Sequence, residues 1–80
     1  MELTLKYFGN IADIIMKKEE AFFVEEEAIT LKSLQLKIEV KYPKILVTNY
    51  SIAVNKKFLQ NDFLLINKDI VAFLPPFAGG

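Results

Sequence analysis

Hydrophobic and polar residues alternate at the start of the chain, as a strand with one buried face requires. Leu3, Leu5 and Tyr7 are separated by single polar residues. This period of two predicts a first strand that ends before Gly9. A short run of β-forming residues at positions 21–24 lies between acidic residues and predicts a second strand, antiparallel to the first.

A short helix is predicted between these two strands, over residues 10–18. Isoleucines at positions 11, 14 and 15 fall on one helical face. Asn10 belongs to the residue types that cap helix N-termini well. Lys17 and Lys18 suit the last turn, because the carbonyl end of a helix favours cations.

The pattern of hydrophobic residues over 30–42 is compatible with either a strand or a helix. From Leu34 onward hydrophobic residues alternate with polar ones, but hydrophobic residues also recur at spacings of three and four through Ile38. Thr30 is a suitable N-cap and Pro43 a suitable stop, so the ends are those of a helix. We therefore predict a helix here.

The second half of the chain is predicted to consist of short strands and polar turns. The predicted segments are a strand at Ser51–Val54, a turn at 55–57, a short returning stretch of chain at 58–59, a turn at 67–69 and a strand at Ile70–Leu74. The last strand is a continuous apolar run, which is expected of a strand buried on both faces. Residues 44–50 read as a linking stretch whose apolar positions 45–47 cover the core. For these residues and for residues 63–66, the sequence does not distinguish between a strand, a turn and a short helix.

These elements predict an α+β fold of the ubiquitin-like β-grasp type. The first and last strands are both strongly apolar, and such strands often lie side by side in the middle of a mixed sheet. One main helix packed across that sheet gives two layers around one core. The predicted organisation is a β-grasp domain over residues 1–74 and an extended, flexible C-terminal tail over residues 75–80.

The composition excludes most side-chain chemistry. The 80 residues contain no histidine, cysteine or tryptophan, so there is no imidazole base, thiolate nucleophile or ordinary zinc site, and we expect no bound metal or cofactor. Ten acidic residues balance ten basic ones, which argues against a nucleic-acid partner. No apolar run approaches the ~20 residues of a membrane helix, and the N-terminus lacks signal-peptide features. We expect a cytoplasmic protein that carries, binds or scaffolds something.

The C-terminal residues have the properties of a probe that enters a narrow site. The sequence there is Pro75, Pro76, Phe77, Ala78, Gly79, Gly80. The prolines end the last strand because they donate no ladder hydrogen bond. Six extended residues reach roughly 20 Å. Glycine has no side chain to obstruct a tunnel, and a terminal glycine carboxylate has no neighbouring Cβ to hinder attack on it.

Residues 70–80 resemble the end of the small subunit of molybdopterin synthase, a β-grasp sulfur carrier. The segments Tyr7-Phe8-Gly9 and Ala53-Val54-Asn55 are similar to the same family. One departure is the turn before the last strand, where family members often have Asp-Gly-Asp and this chain has Asn67-Lys68-Asp69. We expect Asn67 to take the positive φ that this turn needs.

The resemblance implies a mechanism without a catalytic side chain in this chain. An E1-like adenylating enzyme would use ATP to activate the Gly80 carboxylate, and a sulfur donor protein would convert it to a thiocarboxylate. The large subunit of molybdopterin synthase would receive the tail and supply the catalytic side chains for sulfur transfer to a pyranopterin precursor. By analogy with the family, Phe8, Phe58 and Leu74 are candidates for the contact with that subunit, with core packing as the alternative for each.

Three rival functions stay open. The first is a thiocarboxylate carrier for another pathway, such as thiamin thiazole or tungsten cofactor synthesis. The second is a protein modifier whose Gly80 forms an isopeptide bond to lysine. The third is a β-grasp interaction or RNA-binding module with an inert tail, against which the neutral net charge and the apolar terminus count.

Overall fold

The first and last strands lie side by side and parallel in the middle of a mixed sheet. The computed structural model describes residues 1–59 and 61–75. Within them are seven strands, two α-helices and one 3₁₀ helix, in the order β1 (Glu2–Tyr7), α1 (Gly9–Ile15), β2 (Glu19–Phe23), β3 (Ala28–Thr30), α2 (Leu31–Lys41), the 3₁₀ helix (Pro43–Val47), β4 (Ser51–Val54), β5 (Lys57–Phe58), β6 (Leu64–Ile66) and β7 (Ile70–Leu74). The predicted β-grasp architecture is confirmed.

The main sheet has the strand order β2-β1-β7-β4-β5 in the described chain. Strand β1 pairs parallel with β7, with Leu5 opposite Val71 and Tyr7 opposite Phe73. Its other edge pairs antiparallel with β2, as predicted. Strands β3 and β6 form a separate two-stranded sheet, Ala28 facing Ile66. The sequence patterns missed β3 because three residues are too few to show a period.

The core lies between one face of the main sheet and helix α2. Its fully buried members include Leu3, Leu5, Leu34, Ile38 and Phe73. On α2 the spacing of three and four places Leu31, Leu34 and Ile38 inward. Leu36 and Val40, which belong to the competing alternation, are exposed. The helix prediction is therefore confirmed. The residues that recur at the helical spacing are the ones that are buried.

The ends of α2 match the sequence prediction. The side chain of Thr30 accepts a hydrogen bond from the Ser33 N–H at 3.1 Å, which satisfies one of the free donors of the first turn. The helix ends at Lys41, and Pro43 begins the 3₁₀ helix.

Helix α1 is shorter than predicted and has different ends. It begins at Gly9 after Phe8, and no side chain caps it, so the assignment of Asn10 as N-cap is wrong. It ends at Ile15 because Met16 takes the left-handed conformation, with φ of 67°. Lys17 therefore lies beyond the last turn, and its ammonium contacts Glu20 at 3.4 Å instead.

Two predictions of burial are wrong in part. In the linking stretch Ile45 is fully buried, but Leu46 and Val47 are exposed, because a 3₁₀ helix turns successive side chains away from one face. Strand β7 is buried on one face only: Val71 and Phe73 are covered, whereas Ile70 is exposed. A central strand of a two-layer fold has helices on one side, so its other side faces outward.

The turn before β7 has a different conformation from the one expected. Lys68 has the positive φ, 73°, and Asn67 does not. Asn67 instead accepts a hydrogen bond from the Glu2 N–H through its side-chain oxygen at 2.8 Å. The Lys68 ammonium contacts the Glu2 carboxylate at 2.5 Å. These contacts join the turn to the start of β1 and hold Asn67 in its ordinary conformation.

The Glu20 carboxylate joins β1, β2 and the C-terminal end of α2. It accepts hydrogen bonds from the hydroxyls of Tyr7 at 2.6 Å and Tyr42 at 2.7 Å, and from the Lys41 ammonium at 3.1 Å. Burial of the carboxylate raises its pKa, but these donors together lower it more and bring the pKa from 4.5 to about 2. Burial, reinforced by the bond to Glu20, also raises the pKa of Tyr7.

Replacing the N-cap of α2 should weaken the fold measurably. Thr30→Ala removes the acceptor for the Ser33 N–H, and we expect a loss of about 1 kcal/mol in the free energy of unfolding. Urea denaturation followed by circular dichroism measures it. Ser33→Ala keeps the backbone donor and serves as the control, expected within about 0.5 kcal/mol of the wild type. An equal loss in both variants would contradict the capping role.

Glu20 should make stability depend on acidity. Because its pKa in the folded chain lies below the unfolded value of about 4.3, its contribution is present above about pH 5 and is lost as pH falls through about 4 toward 2. Glu20→Gln should lower stability at pH 7 and flatten this acid slope. Urea titrations at several pH values test it, with the exposed neighbour Glu19→Gln as control. An unchanged slope in Glu20→Gln would refute the assignment.

Candidate functional site

The candidate site is divided between the described chain and residues outside it. Pro76, Phe77, Ala78, Gly79 and Gly80 lie outside the described residues. Pro75 is described and follows the end of β7 directly. The predicted division into residues 1–74 and 75–80 therefore stays a prediction, and the geometry below concerns the surface around Leu74 and Pro75.

Residues on the side of the main sheet away from α2 form what we term the outer face. Strand register defines it: Ala72 pairs with Lys6 on one side and Ala53 on the other, and Ala53 pairs with Phe58. Directly paired residues point to the same side of a sheet. Val71 and Phe73, which alternate with Ala72, point into the core. Lys6, Ala72, Ala53 and Phe58 therefore form one row across the outer face.

Leu74 lies one row further along β7, beside the start of the tail. It is half-buried and pairs with Ser51. By alternation with Phe73 its side chain belongs to the outer face. Of the three residues predicted for partner contact, Leu74 is thus on the central strand and nearest in sequence to Pro75.

Phe8 lies at the same end of the sheet as Leu74. Its N–H donates to the Phe73 carbonyl at 3.1 Å, which extends the β1–β7 ladder by one bond. Its side chain is 44% exposed, a large value for an aromatic residue. Phe8 is therefore not packed in the core, which was the alternative for this residue. The following Gly9 turns the chain into α1.

Phe58 is the third predicted contact residue and is 51% exposed. Register places it on the outer face two strands from β7, which corresponds to roughly 10 Å across the sheet. The small residues Ala53 and Ala72 lie between Phe58 and the β1 side. Phe8 is extended and alternates with the buried Tyr7, so it belongs to the outer face with Leu74 and Phe58, and small residues lie between the three.

Charged residues lie at the borders of the outer face. Lys6 pairs across β1–β2 with Glu19, and Lys56 and Lys57 are exposed in the β4–β5 hairpin. The turn of that hairpin has Asn55 and Lys56 at positive φ, as a tight two-residue connection needs. An apolar centre with a charged rim is the usual arrangement of a protein-contact surface.

The described residues supply no obvious machinery for catalysis. They contain no group of three or more acidic, histidine or cysteine residues placed to hold a metal ion. The titratable groups with strongly shifted pKa values, Glu20, Tyr7 and Tyr50, are engaged in hydrogen bonds with each other or with neighbouring side chains. Nor is any helix among the described residues long and apolar enough to cross a bilayer. The surface described here is suited to contact.

Sequence reasoning missed the small members of the outer face. Ala53, Ala72 and Ser51 carry no chemical signal of their own, and only strand register brings them between the larger side chains. A groove of about 550 Å³ between α2 and the β4–β5 hairpin was also not anticipated; Tyr50, Ile52 and Phe58 are among its lining residues.

Comparison with known proteins gives a consistent result. The sequence matches the profile of the ThiS family over residues 5–80. The fold is similar to a putative molybdopterin converting factor subunit 1 from Pyrococcus furiosus, with a TM-score of 0.85 at 22% identity over 96% of this chain and 99% of that one. It is also similar to the small archaeal modifier protein 1 (SAMP1) from Methanosarcina acetivorans, with a TM-score of 0.77 at 20% identity over 99% and 96% of the two chains.

A third similar structure has higher identity. It is a protein–protein complex of subunits 1 and 2 of the molybdopterin-converting factor from Helicobacter pylori, with 30% identity, full coverage of both chains and a TM-score of 0.66. The two likenesses below 25% identity show the fold. The profile match extends through residue 80 and so includes the tail.

Proposed function

The chain belongs to the ThiS family, and from that premise we propose that it is the sulfur carrier of molybdenum cofactor synthesis. The observation that carries the proposal is the family match that continues through Gly79 and Gly80. The similarity to the Helicobacter pylori complex of subunits 1 and 2 of the molybdopterin-converting factor supports a large-subunit partner.

In the proposed reaction Gly80 supplies the reacting carbon. A carboxylate oxygen of Gly80 attacks the α-phosphorus of ATP on an E1-like adenylating enzyme, which releases pyrophosphate and forms an acyl adenylate. Hydrosulfide released by a donor protein then attacks the acyl carbon, and its new C–S bond replaces the C–O bond to AMP, which leaves a thiocarboxylate and free AMP. This chain binds no cofactor in the scheme, since ATP is used by the activating enzyme.

Sulfur transfer would take place on the large subunit of molybdopterin synthase. Residues Pro75, Pro76, Phe77, Ala78 and Gly79 would occupy its pocket and bring the thiocarboxylate to the pyranopterin precursor. Sulfur leaves for the precursor, water returns the Gly80 carboxylate, and two such transfers complete the dithiolene. The catalytic side chains would belong to the large subunit, as the contact surface described here suits a docking role.

The outer face is the proposed docking surface. Phe8 and Phe58 are half exposed, Leu74 lies at the base of the tail, and small residues separate them. Exposed aromatic residues around small apolar ones supply the contact area that a partner can bury. This arrangement would hold the carrier while the tail reaches into the partner.

A protein modifier is the second candidate function. The fold similarity to small archaeal modifier protein 1 favours it, because that protein shares the architecture over almost the whole chain. In that case Gly80 would end in an isopeptide bond to a lysine. A carrier for another pathway, such as thiamin thiazole or tungsten cofactor synthesis, would use the same tail chemistry with a different acceptor.

Intact mass spectrometry tests the tail chemistry. After incubation with ATP, an E1-like enzyme and a sulfur source, we expect a mass gain equal to the exchange of one oxygen for one sulfur, located on the C-terminal peptide. A variant with one residue added after Gly80 is the control and should stay unchanged, because its Gly80 carbonyl is an amide. Sulfur gain in the extended variant would refute the mechanism, and branched conjugates in cells without a thiocarboxylate would favour the modifier.

Variants of the outer face test docking. Phe8→Ser and Phe58→Ser should each weaken binding to the large subunit by about 30-fold or more, as loss of a central contact of about 2 kcal/mol implies. Calorimetric titration measures the affinity. Val40→Ser is the matched control, since Val40 is exposed on α2 at the other side of the molecule. Equal effects of all three variants would place docking elsewhere.

A further inference from the structure

Gly9 lies against the first residue of the tail. Its φ of 53° is in the left-handed region, which side chains disfavour. A Cβ placed on Gly9 would lie 2.9 Å from Pro75 Cγ and 3.4 Å from Pro75 Cδ. A separation of 2.9 Å between two carbon atoms is well inside van der Waals contact, so Pro75 occupies space that only glycine leaves open.

The surroundings of Pro75 give it little room to move. Leu74, immediately before it, is paired with Ser51 in the ladder. On the other side the Phe8 N–H donates to the Phe73 carbonyl, so the β1–α1 turn and the end of β7 are joined by a hydrogen bond. The Cγ atom of the proline ring can change its pucker, but Cδ, 3.4 Å from the added Cβ, is bonded to the backbone nitrogen and moves only with it. Relief of the clash therefore displaces the Pro75 ring, by a change of pucker or by a shift of its backbone.

We propose that Gly9 is a positioning residue for sulfur transfer. The absence of its side chain seats the Pro75 ring against the β1–α1 turn and so sets the place from which residues 76–80 leave the domain. The kinetic consequence rests on the proposed function, whereas the seating of Pro75 does not.

Two effects of a side chain at Gly9 have to be separated. One is backbone strain from the positive φ, which lowers stability and would do so at any such position. The other is the contact with Pro75, which concerns the tail. Only the contact with Pro75 should disappear when the proline ring is removed by substitution with alanine. This difference makes the proposal testable by a double-mutant cycle.

The experiment uses the full chain with the variants Gly9→Ala, Pro75→Ala and the double variant. Single-turnover sulfur transfer on the large subunit gives the rate, and calorimetry gives the affinity. A 1 Å displacement can cost about 100-fold in rate, so a shift of a few tenths of an ångström in Pro75 should cost about tenfold in Gly9→Ala, with affinity unchanged. The double variant should be no slower than Pro75→Ala.

Thr30→Ala is the stability control, because it is destabilised at the N-cap of α2 and leaves the β1–α1 turn intact. It should transfer sulfur at the wild-type rate. A rate loss in Gly9→Ala that Thr30→Ala reproduces, or a double variant whose defect is the product of the two single ones, would overturn the proposal.

Nuclear magnetic resonance tests the seating of Pro75 without any partner. In the wild type we expect a nuclear Overhauser effect between the Gly9 Hα and Pro75 Hγ protons, and in Gly9→Ala displaced Pro75 resonances. Unchanged Pro75 resonances would refute the seating even if the chain carries sulfur. A wild type that never acquires sulfur, but whose Pro75 resonances move in Gly9→Ala, would refute the proposed function and leave the seating intact.

Discussion

The parallel pairing of β1 with β7 is the constraint on which the rest of the structure depends. It joins the two ends of the described domain, with Leu5 opposite Val71 and Tyr7 opposite Phe73, all buried. Parallel neighbours need a crossover connection, and everything between the two strands serves as one, including the helix α2 that covers the core. The same pairing places Pro75, just past the end of the central strand, beside Phe8 and Gly9.

A two-layer fold gives this sheet one covered face and one face open for contact. Val71 and Phe73 are buried in the same core as Leu34 and Ile38 of α2, and the alternate positions Ala72 and Leu74 point outward. Covering the second face with another layer would have made β7 continuously buried and left no exposed face beside Leu74. In the proposed function, a chain without histidine or cysteine acts through one terminal carboxylate, and the partner supplies the remaining chemistry.

Local signals predicted most elements, and failed where a neighbour overrides local preference. Thr30 caps α2 as its residue type suggests, because its hydroxyl oxygen lies within hydrogen-bond reach of the Ser33 N–H in the first turn. Asn10 does not cap α1, because the hydrogen bond from Phe8 to Phe73 and the positive φ of Gly9 start the helix one residue earlier. Lys68 takes the positive φ expected of Asn67, because Asn67 is bonded to the start of β1.

The sequence determined the class of fold, the main helix and the apolar glycine-ended tail, since periodicity, caps and missing residue types are properties of neighbouring positions. The tertiary structure decided which apolar residues face solvent: Phe8 and Phe58 share one open face with Leu74, whereas Ile45 is buried beside the exposed Leu46. Exposure depends on what packs opposite a residue. For the strand residues, register set between segments far apart in the chain fixes what packs opposite, and no local pattern contains it.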